Sequence, residues 1–220
     1  MAHDSGLTPA PMGGDAQGII EAVRAGEERA DDRFDRLYDA KCRQASKRHW
    51  TPIATVRCAL DLLQLGPDHV LLDVGSGAGK FCLAASLMSP ARFVGVERRP
   101  ELVRAGERAR RCLGADRVHF FCADALELDW SPYDAIYLFN PFEEHLMEPE
   151  LRIDNSVPFS GADYAAAVGA TRKRLKTLKV GARVVVNYGF GDVMPPGFQR
   201  MACAAEVQSE LEAWSKLPSD

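Results

Sequence analysis

Val70-Leu71-Leu72-Asp73-Val74-Gly75-Ser76-Gly77-Ala78-Gly79-Lys80-Phe81 is the stretch whose reading decides the fold. An apolar run closed by glycines, with a second apolar run from Phe81-Cys82-Leu83, predicts a buried parallel strand, a tight loop and a helix over Lys80 to Met88. Such a loop seats a ligand. Its glycines turn the backbone sharply and admit close approach, and the helix start offers unpaired N–H groups. A dinucleotide site needs Gly-x-Gly-x-x-Gly. Here the third glycine comes one residue early, at Gly79, and Lys80 holds the expected place, which argues against a nicotinamide cofactor. Asp73, two residues before Gly75, suits a ligand with a cationic amino group better than a pyrophosphate.

Two more strands end in acids. Arg92 to Val96 predicts a strand closing at Glu97, whose carboxylate can accept both hydroxyls of an adenosine ribose. After a helix opened by Pro100 and closed by Gly114, Val118 to Cys122 predicts a third strand, followed by Asp124. The pattern Asp73-x-Gly75-x-Gly77-x-Gly79 resembles the first motif of class I S-adenosylmethionine-dependent methyltransferases. The resemblance implies S-adenosyl-L-methionine as cofactor, with Asp124 accepting from the adenine amino group and the Ala125 N–H meeting a ring nitrogen. Asp73, Gly75, Ser76, Gly77, Gly79, Glu97 and the adjoining Arg98 complete its implied cofactor contacts.

Tyr133 to Phe139 predicts a fourth strand ending in Asn140-Pro141-Phe142-Glu143-Glu144. This end is similar to the Asn-Pro-Pro-Tyr/Phe motif of amino-group methyltransferases, without its second proline. The similarity implies that the Asn140 oxygen and the Pro141 carbonyl grip the N–H groups of an acceptor, with Asn140 and Phe142 also against the cofactor. The alternative is an Asn-Pro turn that only ends the strand. Glu143, Glu144 or Tyr38 would remove a proton, and Tyr137, Phe142 or Trp50 would face the sulfonium.

Around this frame, residues 1–18 are rich in Gly, Pro, Ala and Ser and read as a disordered arm. Residues 19–49 form an amphipathic helical cap, either solvated or a lid bringing Tyr38, Arg43, Lys47 or His49 over the ligand. Residues 50–220 make the cofactor-binding domain. Thr51 is expected to cap, and Pro52 to open, a helix with the stripe Ile53, Val56, Leu60 and Leu63, ended by Gly66-Pro67. That entry puts Trp50 and Thr51 at the carboxyl edge of the sheet, as cofactor contacts or as a packed indole and a cap. Residues 148–161 read as an insertion over the site, followed by a helix from about Ala162 to Leu178 and a strand from Arg183. Two last runs, about Gln199 to Val207 and Glu210 to Lys216, pair as a hairpin. The expected class is α/β: a seven-stranded, mostly parallel sheet with one antiparallel strand, helices on both faces, the first five strands alternating with helices, and an N-terminal helical extension.

Composition sets the outer limits. With 220 residues, 46% hydrophobic, the chain can bury one full core. A net charge of −4 gives no global reason to expect a nucleic-acid partner. The six cysteines are scattered, and His119 and Cys122 fall on opposite faces of a strand, so no metal site is expected. No apolar run has membrane-spanning length and no secretory signal is visible, which points to the cytoplasm. The expectation is a monomeric or homodimeric S-adenosylmethionine-dependent methyltransferase acting on a nitrogen of a protein side chain or small molecule. A non-catalytic cofactor-binding sensor or partner subunit is the alternative.

Overall fold

Apolar residues alternate between two covered faces in every central strand, which places the sheet in the middle of the molecule. In the computed structural model, residues 15–140, 142–154, 156, 157, 160–189, 194–204 and 211–218 are described, with 202–204 as backbone alone. Strands β1 (Val70–Val74), β2 (Arg92–Glu97), β3 (Val118–Cys122), β4 (Ala135–Phe139) and β5 (Arg183–Asn187) run parallel. With β6 (Phe198–Ala204) and β7 (Leu211–Lys216) they form one sheet in the order β3-β2-β1-β4-β5-β7-β6. β7 is antiparallel to both of its neighbours. The fold class is the one read from the sequence, including the terminal hairpin.

The strand order reverses between β1 and β4, so the crossovers on the two sides leave in opposite directions and open a crevice at the carboxyl ends. Leu71, Phe93, Tyr137 and Val185 point to one face, where α4 (Ile53–Leu63), α5 (Lys80–Met88) and α6 (Pro100–Leu113) pack. Leu72, Val94, Ile136 and Val184 point to the other, covered by α7 (Gly161–Thr177) through Leu175, with Leu178 just beyond it. The helical cap is α1 (Ala16–Ala25), α2 (Ala30–Phe34) and α3 (Ala40–His49). Its Ile19, Val23, Phe34 and Tyr38 join the core of the first face, so cap and sheet share one apolar interior.

Four local expectations are revised. The helix begins earlier than the expected arm allows: Asp15 caps α1 by accepting from Gly18 N at 3.0 Å, so residues 15–18 belong to the cap, while 1–14 lie outside the described residues. Thr51 is not the cap of α4. Its hydroxyl is committed to Tyr137 at 2.9 Å, and Asp31 instead accepts from Ile53 N at 3.1 Å, reaching across from the cap. α4 closes at Gln64 in a left-handed conformation (φ 46°), two residues before Gly66-Pro67. Finally, no α-helix joins β3 to β4; only a 3-10 turn at Ala125–Glu127 occurs there. A turn in which Asp129 accepts from Ser131 N at 3.0 Å leaves no helical stripe. Trp130, 0% exposed, covers the sheet in its stead, its indole N–H donating to the Ala125 carbonyl at 2.8 Å.

Because Trp130 alone does the work of a covering element, Trp130→Ala leaves a cavity against Leu72, Val74 and Val96. The expected destabilisation is about 3–5 kcal/mol. It is checked by the shift of the urea midpoint at constant slope.

Candidate cofactor and acceptor site

The loop after β1 is held by backbone pairing. Gly75 N and Ser76 N both donate to the Val96 carbonyl, at 2.9 and 3.0 Å, which fastens the loop to β2. Gly75, Gly77 and Gly79 have φ of 74°, 56° and 79°, a region that costs an L side chain strain. Their reasons for being glycine differ. A Cβ on Gly77 would stand 3.2 Å from the Trp50 indole nitrogen, whereas one on Gly79 would stand 2.1 Å from the ring of Phe120. Gly79 therefore makes room for β3, not for a ligand.

Under this loop the cap is tied in by polar contacts. Tyr38 donates its hydroxyl to the Ala78 carbonyl at 3.0 Å and sets its ring edge on Trp50, 4.8 Å between centroids. Lys80, 3% exposed, ion-pairs with Asp31 and Asp35, each at 2.7 Å, and Asp35 also accepts from Ser46 Oγ. Tyr38 is thus spent on holding the loop. Burial, with Asp35 nearby, pushes its hydroxyl well above the ordinary tyrosine range, and it does not reach the site as the proton acceptor that the sequence reading weighed.

A cavity of about 430 Å³ opens at the carboxyl ends of the strands beside the reversal point. Gly75, Glu97, Arg98, Asp124, Ala125, Asn140, Phe142 and Glu143 all line it. Glu97 is 6% exposed and accepts from Gly77 N at 3.2 Å and Arg99 N at 2.9 Å. Burial raises its pKa, and those two N–H groups and the Arg99 charge oppose the rise. Asp124 accepts from Leu126 N at 2.9 Å with one oxygen, and Arg98 stands 3.9 Å from the other. Asn140 ends β4 at φ 32°, a conformation asparagine tolerates better than most residues, and its side-chain oxygen is buried without a partner. Leu126, Met147, Val157, Ala166, Ala167 and Ala170 supply an apolar wall opposite.

Other predicted contacts do not line the cavity. Asp73, 4% exposed, meets the Cys82 thiol at 3.4 Å, and burial pushes its carboxyl up to about 7. Thr51, Tyr137 and Asn187 form a buried hydrogen-bond chain, with Tyr137 stacked 3.7 Å from Phe81, so Tyr137 does not face the cavity. Trp50, Thr51, Ser76, Gly77 and Gly79 are likewise absent from its lining. Yet Trp50 Nε1, Ser76 Oγ and Asn140 Oδ1 are all buried without hydrogen-bond partners, which buried polar atoms rarely are. A cofactor that carries donors and acceptors fits this loop, and an apolar ligand does not.

The sequence model of the protein-L-isoaspartate(D-aspartate) O-methyltransferase family matches residues 38–143, just under half of the chain. An RNA methyltransferase from Salinibacter ruber, solved with S-adenosyl-L-homocysteine, superposes with a TM-score of 0.55 at 23% identity, over 77% of this chain and 95% of that one. TrmN from Thermus thermophilus gives 0.58 at 19% identity, over 80% of this chain and 52% of its own. A precorrin-6y C5,15-methyltransferase from Geobacter metallireducens gives 0.52 at 17% identity, over 77% and 92%. The fold is that of the class I S-adenosylmethionine-dependent methyltransferases. No curated protein matches the chain.

The sequence reading missed the contacts that join distant segments. Arg99, Glu144 and Asp154 meet around the cavity, and Lys80, noticed only as a breach of the dinucleotide pattern, joins cap to loop. One signal was available. Arg99 sits at the N-cap of α6, where a cation meets the positive end of the helix dipole and needs acids around it. Among the described residues no group of three or more His, Cys, Asp or Glu is placed to hold a metal, and no helix is long and apolar enough to cross a membrane.

Lys80→Met removes the shared partner of Asp31 and Asp35 and leaves Asp35, 16% exposed, without its cation. The expected loss is about 2–3 kcal/mol, below the full cost of breaking a buried pair because both acids keep some water. Chemical denaturation of the variant beside the parent chain checks it.

Proposed function

We propose that this protein is an S-adenosylmethionine-dependent methyltransferase that moves the methyl group of its cofactor to a nitrogen of a protein side chain or small molecule. The observation that supports it best is a single cavity wall on which Glu97, Asp124, Ala125 and the unpartnered oxygen of Asn140 come together. Bound S-adenosylmethionine supplies an already activated methyl on a sulfonium. Glu97 accepts from the ribose hydroxyls, and Asp124 with the Ala125 N–H reads the adenine edge. Asn140 Oδ1 accepts from an acceptor N–H and so turns the nitrogen lone pair into line with the methyl carbon. Glu143, exposed on the cavity rim, takes the proton released as the nitrogen is alkylated. Glu144 is not available for this, because both of its oxygens face Arg99. Phe142 borders the same space, and the apolar wall keeps water from the methyl group.

Transfer of labelled methyl from S-adenosylmethionine into fractions of a cell extract tests the reading. Binding without transfer to any fraction would leave a sensor or partner subunit instead. With an acceptor found, Asn140→Ala is expected to lower the single-turnover rate about a hundredfold. Cofactor affinity should stay within about threefold, since the lost contact serves alignment. Unchanged turnover would end the assignment of Asn140.

Cofactor affinity should also fall in acid. Burial disfavours the charged form of Glu97 and raises its pKa above the ordinary glutamate value. Ribose hydroxyls that donate to Glu97 favour the ionised carboxyl, so on the acid side of that pKa binding must expel a proton and affinity drops by up to about tenfold per pH unit. On the alkaline side the carboxyl is already ionised and the dependence flattens. Calorimetry across an acid-to-neutral pH series, in two buffers of different ionisation enthalpy, reads the released proton directly.

A further inference from the structure

Three carboxylates from three separated segments converge on one guanidinium. Arg99, 6% exposed, donates from Nη2 to both oxygens of Glu144 at 2.9 and 2.8 Å and from Nε to Asp154 at 3.1 Å. Its Nη1 lies 3.6 Å from Glu97 Oε1. Burial works against this charge, and Glu144, Glu97 and Asp154 together hold its pKa above the ordinary arginine value. Glu144 also accepts from Ile153 N at 2.8 Å, and from the cap His49 Nε2 meets the Leu151 carbonyl at 3.1 Å. The segment from Glu148 to Asp154 is therefore fastened at one end to the tip of β2 and along its middle to the end of α3. Glu97, Arg99, Glu144 and Ile153 all line the cavity.

We propose that Arg99 is a positioning residue that couples the cofactor held at Glu97 to closure of the Glu148–Asp154 segment over the cavity. The inference rests on the cofactor reading of Glu97. Ribose hydroxyls donating to Glu97 fix the orientation of its carboxylate and thereby of the guanidinium beside it. The planar fork of Arg99 then presents its remaining N–H groups to Glu144 and Asp154 in one geometry, which a lysine ammonium cannot do. The coupling is reciprocal: whatever the segment gains from a bound cofactor, the cofactor gains from a closed segment. Asn140 lies four residues before Glu144, so the same latch steadies the acceptor end of the cavity.

The probe is S-adenosyl-L-homocysteine, with calorimetry for affinity and amide hydrogen exchange for the segment. In the parent chain the ligand is expected to slow exchange at residues 150–154. Arg99→Met should weaken binding by about tenfold to a hundredfold, the range for a hydrogen-bonded charge, and abolish that slowing. Arg99→Lys restores a cation to Glu97 without the fork, so it should recover part of the affinity and little of the protection. Asp154→Asn, which leaves Glu97 and Arg99 in place, should bind the ligand within about threefold of the parent and lose part of the protection at 150–154. It keeps the test open if Arg99→Met does not fold. A merely structural Arg99 would lower thermal stability and leave ligand-dependent protection intact. Equal protection by the ligand in the Arg99 or Asp154 variants and the parent, or no protection in a parent that binds it, overturns the coupling. A parent chain that does not bind the ligand overturns the cofactor reading itself.

Discussion

The carboxylate of Glu97 accepts two backbone N–H groups, one from the glycine loop and one from the start of α6, while almost fully removed from water. That arrangement fixes the loop, the tip of β2 and the first turn of α6 relative to one another with a single side chain. It also sets an electrostatic condition, because a carboxylate this buried loses its charge unless cations or donors surround it. The two N–H groups and Arg99 meet the condition, and Arg99 in turn draws in Glu144 and Asp154. The geometry of the cavity edge is thus a chain of charge compensation that begins at one strand tip.

Much of this was legible in the order of residues, and for a physical reason. In a parallel sheet each strand delivers its last residue to the same edge, so Glu97 and Asn140, at the ends of β2 and β4, were bound to meet once the strands were placed. Asp124, two residues past β3, follows for the same reason. The glycine spacing was equally readable, though one of its members answers to Phe120 and not to a ligand. Thr51 shows the limit of local rules. Its sequence neighbours make it a good cap, but Tyr137 lies 86 residues away and takes the hydroxyl, leaving Asp31 to satisfy the helix.

Beyond the helix start that Arg99 occupies, the roles of Arg99, Lys80 and Trp130 were not legible, because each acts on partners that carry no periodic mark. Arg99 finds its carboxylates 45 and 55 residues downstream, one in a 3-10 turn and one in a loop. Trp130 replaces a covering helix with one indole, and a single residue leaves no pattern to count. The sheet's own asymmetry follows from these substitutions. One face carries the cap and three helices, while the other relies on α7, Trp130 and the packing of β6 and β7.

The cap's place in the core bears on how the chain is made. Residues 16–49 leave the ribosome before the loop and α5, yet Tyr38 and Asp35 find their partners Ala78 and Lys80 only 40 and 45 residues later. Helices of 10, 5 and 10 residues do not hold in water by themselves. Translation at about 5–20 residues per second leaves Ile19, Val23 and Phe34 uncovered for some seconds. During that interval the nascent cap is a hydrophobic segment open to chaperones, and it turns into structure only when the glycine loop follows it out of the exit tunnel.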